Sequence, residues 1–127
     1  MLFMPFRVVP PDIDESAKKG EDATTLVERL ASEKAQVVGQ QEARALIIGS
    51  DQVAVYAGQI VGKPIDREDA ISQLELISGG KAELLTSVAV INTLTGHTQV
   101  QTVPTLIQFK ELSRTAIEYY LDIDKPY

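Results

Sequence analysis

Apolar side chains recur at helical spacing in three parts of the chain. The first pattern runs to about Val38, and either Asp22 or Thr24 can cap the helix that it predicts. The second pattern follows Asp66 and the third follows Ser113, and both residue types accept hydrogen bonds from the free N–H groups of a first helical turn. The sequence therefore predicts three helices, each with its own N-cap.

Runs of β-branched and other apolar residues predict strands between these helices. Phe6–Val9 predicts a short first strand, which Pro10 stops. The longer run Leu46–Tyr56 is apolar at most positions, so we expect a strand that is buried on both faces. Ala57-Gly58 predicts a hairpin turn into a second arm at Ile60-Val61, because glycine readily adopts a positive φ.

A longer hairpin follows in the second half of the chain. Glu83–Asn92 predicts its first strand and His97–Phe109 its return strand. Pro104 cannot donate a ladder hydrogen bond, which restricts the return strand to a sheet edge or a bulge. The order β-α-β-β-α-β-β-α predicts an α/β domain with a mixed sheet, antiparallel hairpins and flanking helices. Because the chain has 127 residues, we expect residues 1–127 to form a single domain.

Composition and charge exclude several classes of protein. The net charge of -6 argues against a protein that binds nucleic acid polymers, since such proteins carry a basic face. Cysteine is absent, which excludes thiolate nucleophiles and cysteine metal sites and fits a reducing compartment. No run approaches the roughly 18 apolar residues of a membrane span. The apolar start Met1–Phe6 is too short for the core of a signal peptide, so the cytoplasm is the default compartment.

One carboxylate, Asp51, interrupts the apolar run Leu46–Tyr56. A charge inside such a strand is costly unless it is paired, hydrogen-bonded or bound to a metal. Lys63, held between Gly62 and Pro64, is a plausible counter-charge, and the combination suggests a site for an anionic, metal-bound ligand. The alternative interpretation is an aspartate that caps backbone amides at the end of a strand.

A second charge is out of place on the first predicted helix. Lys34 falls near the middle of the apolar arc when the residues are set at helical steps. Its stem can cover the core while its ammonium reaches water, and the alternative is a contact with phosphate. His97, the only histidine, follows a glycine at a turn, so we expect it to be exposed and to have no catalytic role.

Several short motifs occur in order along the chain. They are Glu15 in an Asp-Glu step, Ser32-Glu33-Lys34-Ala35, Gly49-Ser50-Asp51-Gln52-Val53, Gly62-Lys63-Pro64, Ser78-Gly79, Thr86 and Leu112-Ser113. Through them the chain resembles the Maf family of nucleotide pyrophosphatases over nearly its whole length. This resemblance implies a Maf/ITPase-like fold. It also implies hydrolysis of a nucleoside triphosphate to the monophosphate and pyrophosphate with a divalent metal cation, Mg²⁺ or Mn²⁺.

The resemblance also implies roles for individual residues. Asp51 is implied as the catalytic residue and, together with Glu15, as a metal ligand; Glu15 is a substrate contact as well. Lys34 and Lys63 are implied to neutralise the phosphates of the substrate. Gln52, where many members carry threonine, resembles the subgroup that hydrolyses 7-methyl-GTP, and a carboxamide can both donate to and accept from a purine edge.

Family members continue beyond this chain at both ends, with a Ser/Arg-rich phosphate-binding loop before Phe6–Val9 and a further segment after Tyr127. We therefore expect a partial Maf-like domain that is truncated at both ends. The competing hypothesis is a non-catalytic remnant that binds a nucleotide or another protein. Because an α/β domain without terminal elements exposes apolar faces, we also expect a homodimer.

Overall fold

The computed structural model describes residues 5–126, which form three helices and one four-stranded sheet. The elements are α1 (Ala23–Gly39), β1 (Leu46–Tyr56), β2 (Gln59–Val61), α2 (Arg67–Ile77), β3 (Lys81–Asn92), β4 (Thr98–Gln108) and α3 (Arg114–Asp124). The strand order in the sheet is β2-β1-β3-β4. Most of the apolar start that was compared with a signal peptide, and Tyr127, lie outside the described residues.

All three predicted N-caps are confirmed. The side chains of Asp22, Asp66 and Ser113 each accept a hydrogen bond from the backbone N–H three residues further on, at 2.8, 2.8 and 3.1 Å. These bonds satisfy donors that a first helical turn leaves free. No helix within residues 5–126 is long and apolar enough to cross a membrane.

Both predicted hairpins are confirmed. Ala57 and Gly58 have φ values of 50° and 79°, as a two-residue turn of type I′ requires, and they join β1 to β2 in antiparallel register. The second hairpin joins β3 to β4. The return strand β4, which contains Pro104, lies at an edge of the sheet as predicted.

The sheet is antiparallel, whereas a mixed sheet was predicted. Ala45 bonds to Thr93 just beyond one end of the β1–β3 pair, and Gln52 bonds to Thr86 further along. Residue numbers therefore fall along β3 as they rise along β1, so this central pair is antiparallel. The α/β architecture with antiparallel hairpins and flanking helices is confirmed.

Two strand predictions are wrong. Phe6–Val9 is not a strand, because prolines on either side lack N–H donors and its side chains lie in an open loop, where Val8 is 79% exposed. The strand β1 is not buried on both faces. Ile47 and Gly49 are buried, whereas Leu46 and Ile48 are exposed, which is the alternation of a strand with one covered face.

The described chain divides into two compact units, and the prediction of a single domain stays a prediction. The first unit contains the residues up to Asp51 together with Ser87–Thr102. Its core joins α1 to β1 and β3 through Ala31, Ala35, Ile47, Ala89 and Ile91.

Gly49 explains how closely α1 approaches β1 in the first unit. A Cβ atom at this position would lie 2.5 Å from the Ala31 carbonyl oxygen and 2.9 Å from the Ala35 backbone nitrogen. Only glycine fits at such a contact. The helix therefore lies directly on the strand two residues before Asp51.

The second unit contains Gln52–Thr86 and the chain from Val103 onwards. Its core is formed by α2 packed on α3, through Ala70, Ile71, Ile117 and Leu121. Gly79, with a φ of +71°, follows the end of α2, and its N–H donates to the Lys110 carbonyl oxygen at 3.1 Å.

Candidate functional site

Asp51 has a cationic partner on the neighbouring helix. It follows Ile47 and Gly49 on the covered face of β1, and its side chain is only 15% exposed. Lys34 Nζ on α1 donates to Asp51 Oδ1 at 2.8 Å. Lys34 is therefore the counter-charge of Asp51, whereas the sequence suggested Lys63. Because this ion pair accounts for the buried charge, a role in capping backbone amides is not needed to explain it.

The Lys34 ammonium lies against three protein acceptors. Besides Asp51, it forms an ion pair with Glu15 Oε1 at 3.0 Å and donates to the Ser50 carbonyl oxygen at 3.4 Å. A lysine ammonium has three hydrogens, so these acceptors match its donors in number. Its side chain is 19% exposed, which explains why a lysine can lie on the apolar stripe of α1 without reaching freely into water.

The environment of Lys34 favours its charged form. Burial of the ammonium acts to lower the pKa of Lys34, but hydrogen bonds to Asp51 and Glu15 outweigh this effect. The net result is a pKa raised above the ordinary value of 10.5. Lys34 is therefore a permanent cation at any physiological pH.

Glu15 reaches the same ammonium from the loop that precedes α1. Its side chain is 60% exposed, so it approaches from the solvent side while Asp51 approaches from the sheet. The neighbouring Asp14 does not contact the ammonium, and its Oδ1 accepts instead from the Ser16 N–H at 2.9 Å, which lowers the pKa of Asp14. Glu15 and Asp51 thus form a pair of carboxylates around one cation.

The loop that carries Glu15 is fastened to α1 by Arg29. The guanidinium donates to both carboxylate oxygens of Glu21 at 2.6 and 2.9 Å and to the Ser16 carbonyl oxygen at 3.0 Å. Hydrogen bonds from Arg29 lower the pKa of Glu21 to about 2. The sequence does not predict this role, because the contacts of Arg29 with Glu21 and Ser16 join a loop to a helix across many residues.

The carboxylate pair matches the donors that a hard divalent cation prefers. Mg²⁺ is commonly held through one or two carboxylates together with substrate phosphates and water. Asp51 and Glu15 supply two such groups around a point that already holds a positive charge. Within residues 5–126 no set of three or more ligating side chains is gathered into a metal site. A cation held by these two carboxylates would take its remaining oxygen ligands from water and from the substrate.

A cavity of about 660 Å³ lies beside this cluster in the first unit. Its walls are the loop residues 6–15, the start of β1 at residues 46–50, and the side chains of Lys34 and Val38. The volume falls within the usual range for small-molecule sites. The exposed side chains of Phe6, Val8, Leu46 and Ile48 make most of the cavity apolar, whereas Lys34 and Glu15 supply charge at its wall.

Gln52 belongs to a separate cluster in the second unit. Successive side chains of a strand alternate between faces, so Gln52 leaves β1 on the face opposite to Asp51. Its Nε2 donates to Thr86 Oγ1 on β3 at 2.8 Å. The sequence names Thr86 only as one of the ordered motifs, because the strand register that brings it to Gln52 cannot be inferred from either residue alone.

Lys63 lies in the connection between β2 and α2, with an exposed side chain. Its neighbour Gly62 is held to α2, where Gln73 Nε2 donates to the Gly62 carbonyl oxygen at 3.0 Å. The predicted role of Lys63 toward phosphate stays a prediction. His97 is exposed in the turn between β3 and β4, as expected.

Comparison with known proteins adds independent evidence. A 7-methyl-GTP pyrophosphatase of Pseudomonas fluorescens is 48% identical over 126 residues, covering 99% of this chain and 66% of its own length. The 7-methyl-GTP pyrophosphatase of Alcanivorax borkumensis is 49% identical over 116 residues, covering 91% of this chain and 59% of its own. That of Nitrosococcus oceani is 43% identical, with shares of 99% and 63%.

The chain thus spans about 59 to 66% of the length of these relatives. The family model described as Maf-like protein matches residues 1–127. The motifs identified in the sequence therefore belong to a match that covers the whole chain, and the protein is a member of the Maf-like family.

Proposed function

We propose that this protein is a nucleotide pyrophosphatase that hydrolyses 7-methyl-GTP or a related nucleoside triphosphate to the monophosphate and pyrophosphate. The observation that carries the proposal is the Asp51–Lys34–Glu15 cluster at the wall of a ligand-sized cavity. The relatives named 7-methyl-GTP pyrophosphatase support the reaction and the nucleotide. Water attacks the α-phosphorus, the bond to the β-phosphate bridging oxygen breaks, and pyrophosphate leaves.

Asp51 is the proposed catalytic residue. A carboxylate in reach of the attacking water can orient it and accept its proton. Asp51 suits this role because Lys34 and the covered face of β1 hold its side chain in one place. The alternative, an aspartate with a purely structural ion pair, predicts normal turnover after its removal if the fold survives.

Asp51 and Glu15 are also the residues that would hold a divalent cation, Mg²⁺ or Mn²⁺. When bound, such a cation supplies neutralising charge to the phosphates, which is the main requirement of phosphoryl chemistry. The two carboxylates fit this role through their oxygen donors. Lys34 lies between them in the structure, so a cation held by both carboxylates would take the place of its ammonium.

Lys34 and Lys63 are proposed to neutralise the phosphates of the substrate. For Lys34 this requires an exchange, because its ammonium now lies against Asp51, Glu15 and the Ser50 carbonyl. A phosphate oxygen would replace one of these acceptors. Lys63 is exposed, so its ammonium needs no such exchange.

Turnover by the purified chain tests the proposal. We expect release of pyrophosphate from 7-methyl-GTP with Mg²⁺ or Mn²⁺, and a decrease of about 10²- to 10⁴-fold in Asp51→Asn, the usual contribution of a positioned acid or base. Asp122→Asn, at an exposed ion pair on α3, is the matched control and should retain activity. Equal activity of wild type and Asp51→Asn would refute the catalytic role.

The competing non-catalytic hypothesis gives a different result in the same experiment. If no variant turns over but 7-methyl-GTP raises the melting temperature of wild type, then the chain binds the nucleotide without hydrolysing it. If neither turnover nor stabilisation is found with any nucleoside triphosphate, then the proposed function is wrong. The cytoplasmic location expected from the sequence stays a prediction.

We also propose that the chain forms a homodimer. The support comes from the edge strand β4, where Val103 is 51% and Leu106 is 67% exposed. An open strand edge with apolar side chains readily pairs with another strand. A second copy brings the same edge, and an antiparallel pairing of two identical edges closes without extending further.

A further inference from the structure

The carboxamide of Gln52 is held by a hydroxyl group on the neighbouring strand. Gln52 Nε2 donates to Thr86 Oγ1 at 2.8 Å. Thr86 is partly buried and lies between Leu85 and Ser87, which are 7% and 0% exposed. Its backbone is therefore fixed by the core of β3, whereas the side chain of Gln52 is exposed and depends on this bond for its orientation.

This bond determines which end of the carboxamide is available to a ligand. A glutamine side chain has an NH₂ group that donates and a carbonyl oxygen that accepts. Thr86 accepts one of the two N–H groups, which fixes the plane of the carboxamide and leaves Gln52 Oε1 and the second N–H to face a ligand. The pair therefore presents a hydrogen-bond acceptor in a fixed direction.

We propose that Thr86 is a positioning residue that aims Gln52 Oε1 at the N–H donors of a guanine base. This inference rests on the proposed function and extends it to the recognition of the base. Guanine carries N–H donors side by side at N1 and at its exocyclic amine, whereas adenine offers only its exocyclic amine and has an acceptor at N1. An acceptor held in place therefore favours guanine over adenine.

Methylation at N7 strengthens this preference. The methyl group places a positive charge on the purine ring, so its N–H groups become stronger donors. Hydrogen bonds that involve a charged partner are roughly twice as strong as neutral ones. The neutral Oε1 atom gains from this charge without the desolvation cost that a carboxylate would carry. The Gln52–Thr86 pair thus suits a cationic guanine base.

Removal of the hydroxyl group tests the proposal. Thr86→Val keeps the shape of the side chain but cannot accept from Gln52, and Thr86→Ser keeps the hydroxyl group. Thr105→Val, at an exposed position of β4, is the matched control. Binding of 7-methyl-GMP and of AMP, neither of which has an anhydride bond to cleave, is measured by NMR titration.

We expect wild type to prefer 7-methyl-GMP. This preference should fall about three- to tenfold in Thr86→Val, the effect of one hydrogen bond. It should stay within about twofold in Thr86→Ser and in Thr105→Val, because neither change removes the bond. In the same spectra, the chemical shifts of the Gln52 side-chain NH₂ group should change to those of a solvent-exposed glutamine only in Thr86→Val.

Three results would contradict the inference, and they are distinguishable. If Thr86→Val keeps the full preference, Thr86 does not position Gln52, although the proposed function survives. If both nucleotides lose affinity equally, Thr86 has only a general structural role. If wild type itself shows no preference for the methylated guanine nucleotide, the proposed substrate is wrong and the inference fails with it.

Discussion

The Lys34 ammonium is the residue-scale feature on which the candidate site depends. It forms an ion pair with Asp51, whose side chain is largely buried, and a second ion pair with Glu15 in the loop before α1. A partly buried carboxylate that loses its only cationic partner incurs a desolvation penalty. Lys34 therefore has a structural consequence that can be measured without any nucleotide.

Replacement of Lys34 should lower the stability of the fold. In Lys34→Met the stem remains but Asp51 is left unpaired, and we expect a loss of about 1–3 kcal/mol in the free energy of unfolding. Urea denaturation measures this loss. Lys19→Met, in an exposed loop, should have almost no effect. Equal stability of the two variants would show that the ion pair contributes nothing.

Protonation of Glu21 should account for part of the loss of folding stability at acid pH. Its pKa is lowered from 4.5 to about 2 by hydrogen bonds from Arg29, so the folded state binds fewer protons than the unfolded state between these values. Its contribution is complete above pH 4.5 and is lost as the pH falls through about 2.

Thermal unfolding between pH 4.5 and 2 checks this expectation. Glu21→Gln should show a shallower loss of melting temperature than wild type in that window, because the variant has no proton to take up at this position. Glu83→Gln, exposed on β3, serves as the control and should follow wild type. If the melting temperature of Glu21→Gln falls with pH as steeply as that of wild type, the proposed role of Arg29 in holding the loop is wrong.

At the scale of the elements, the approach of α1 to β1 depends on Gly49. A methyl group there would meet the backbone of α1, which cannot move as a flexible side chain can. We expect Gly49→Ala to lower the free energy of unfolding by about 1–3 kcal/mol, the usual cost of overpacking. Gly62→Ala, where a Cβ atom would meet nothing within 4 Å, should be nearly neutral in the same denaturation experiment.

The elements that could be predicted are those with local causes. The caps at Asp22, Asp66 and Ser113 and the turn at Ala57-Gly58 follow from hydrogen bonds and dihedral preferences within a few residues. The predicted strand at Phe6–Val9 failed because a strand needs a partner, and its own sequence does not say whether one is present.

The same distinction applies to the candidate site. Asp51 and Lys34 could be identified because each is a charge in an apolar pattern, and the structure pairs them. The hydrogen bond between Gln52 and Thr86 could not be predicted, because it depends on strand register. The cavity could not be predicted either, because it depends on how a loop lies across a sheet.

At the scale of the whole molecule, the apolar edge of β4 predicts self-association. We expect sedimentation velocity to show a dimer, and Val103→Lys should shift the chain toward the monomer because a charge on an edge strand opposes pairing. Lys110→Met, beyond the end of β4, changes the charge without touching the edge and should leave the dimer intact. A monomeric wild type would refute the proposed homodimer.

The shared ammonium between two carboxylates has a further consequence. The Lys34 ammonium pairs with both carboxylates, so the folded chain does not need a metal ion from solution to keep Asp51 and Glu15 together. In proteins whose folding depends on a metal, chelators unfold the chain. Here, we expect EDTA to leave the melting temperature unchanged while it abolishes any turnover, which would separate the integrity of the site from its chemistry.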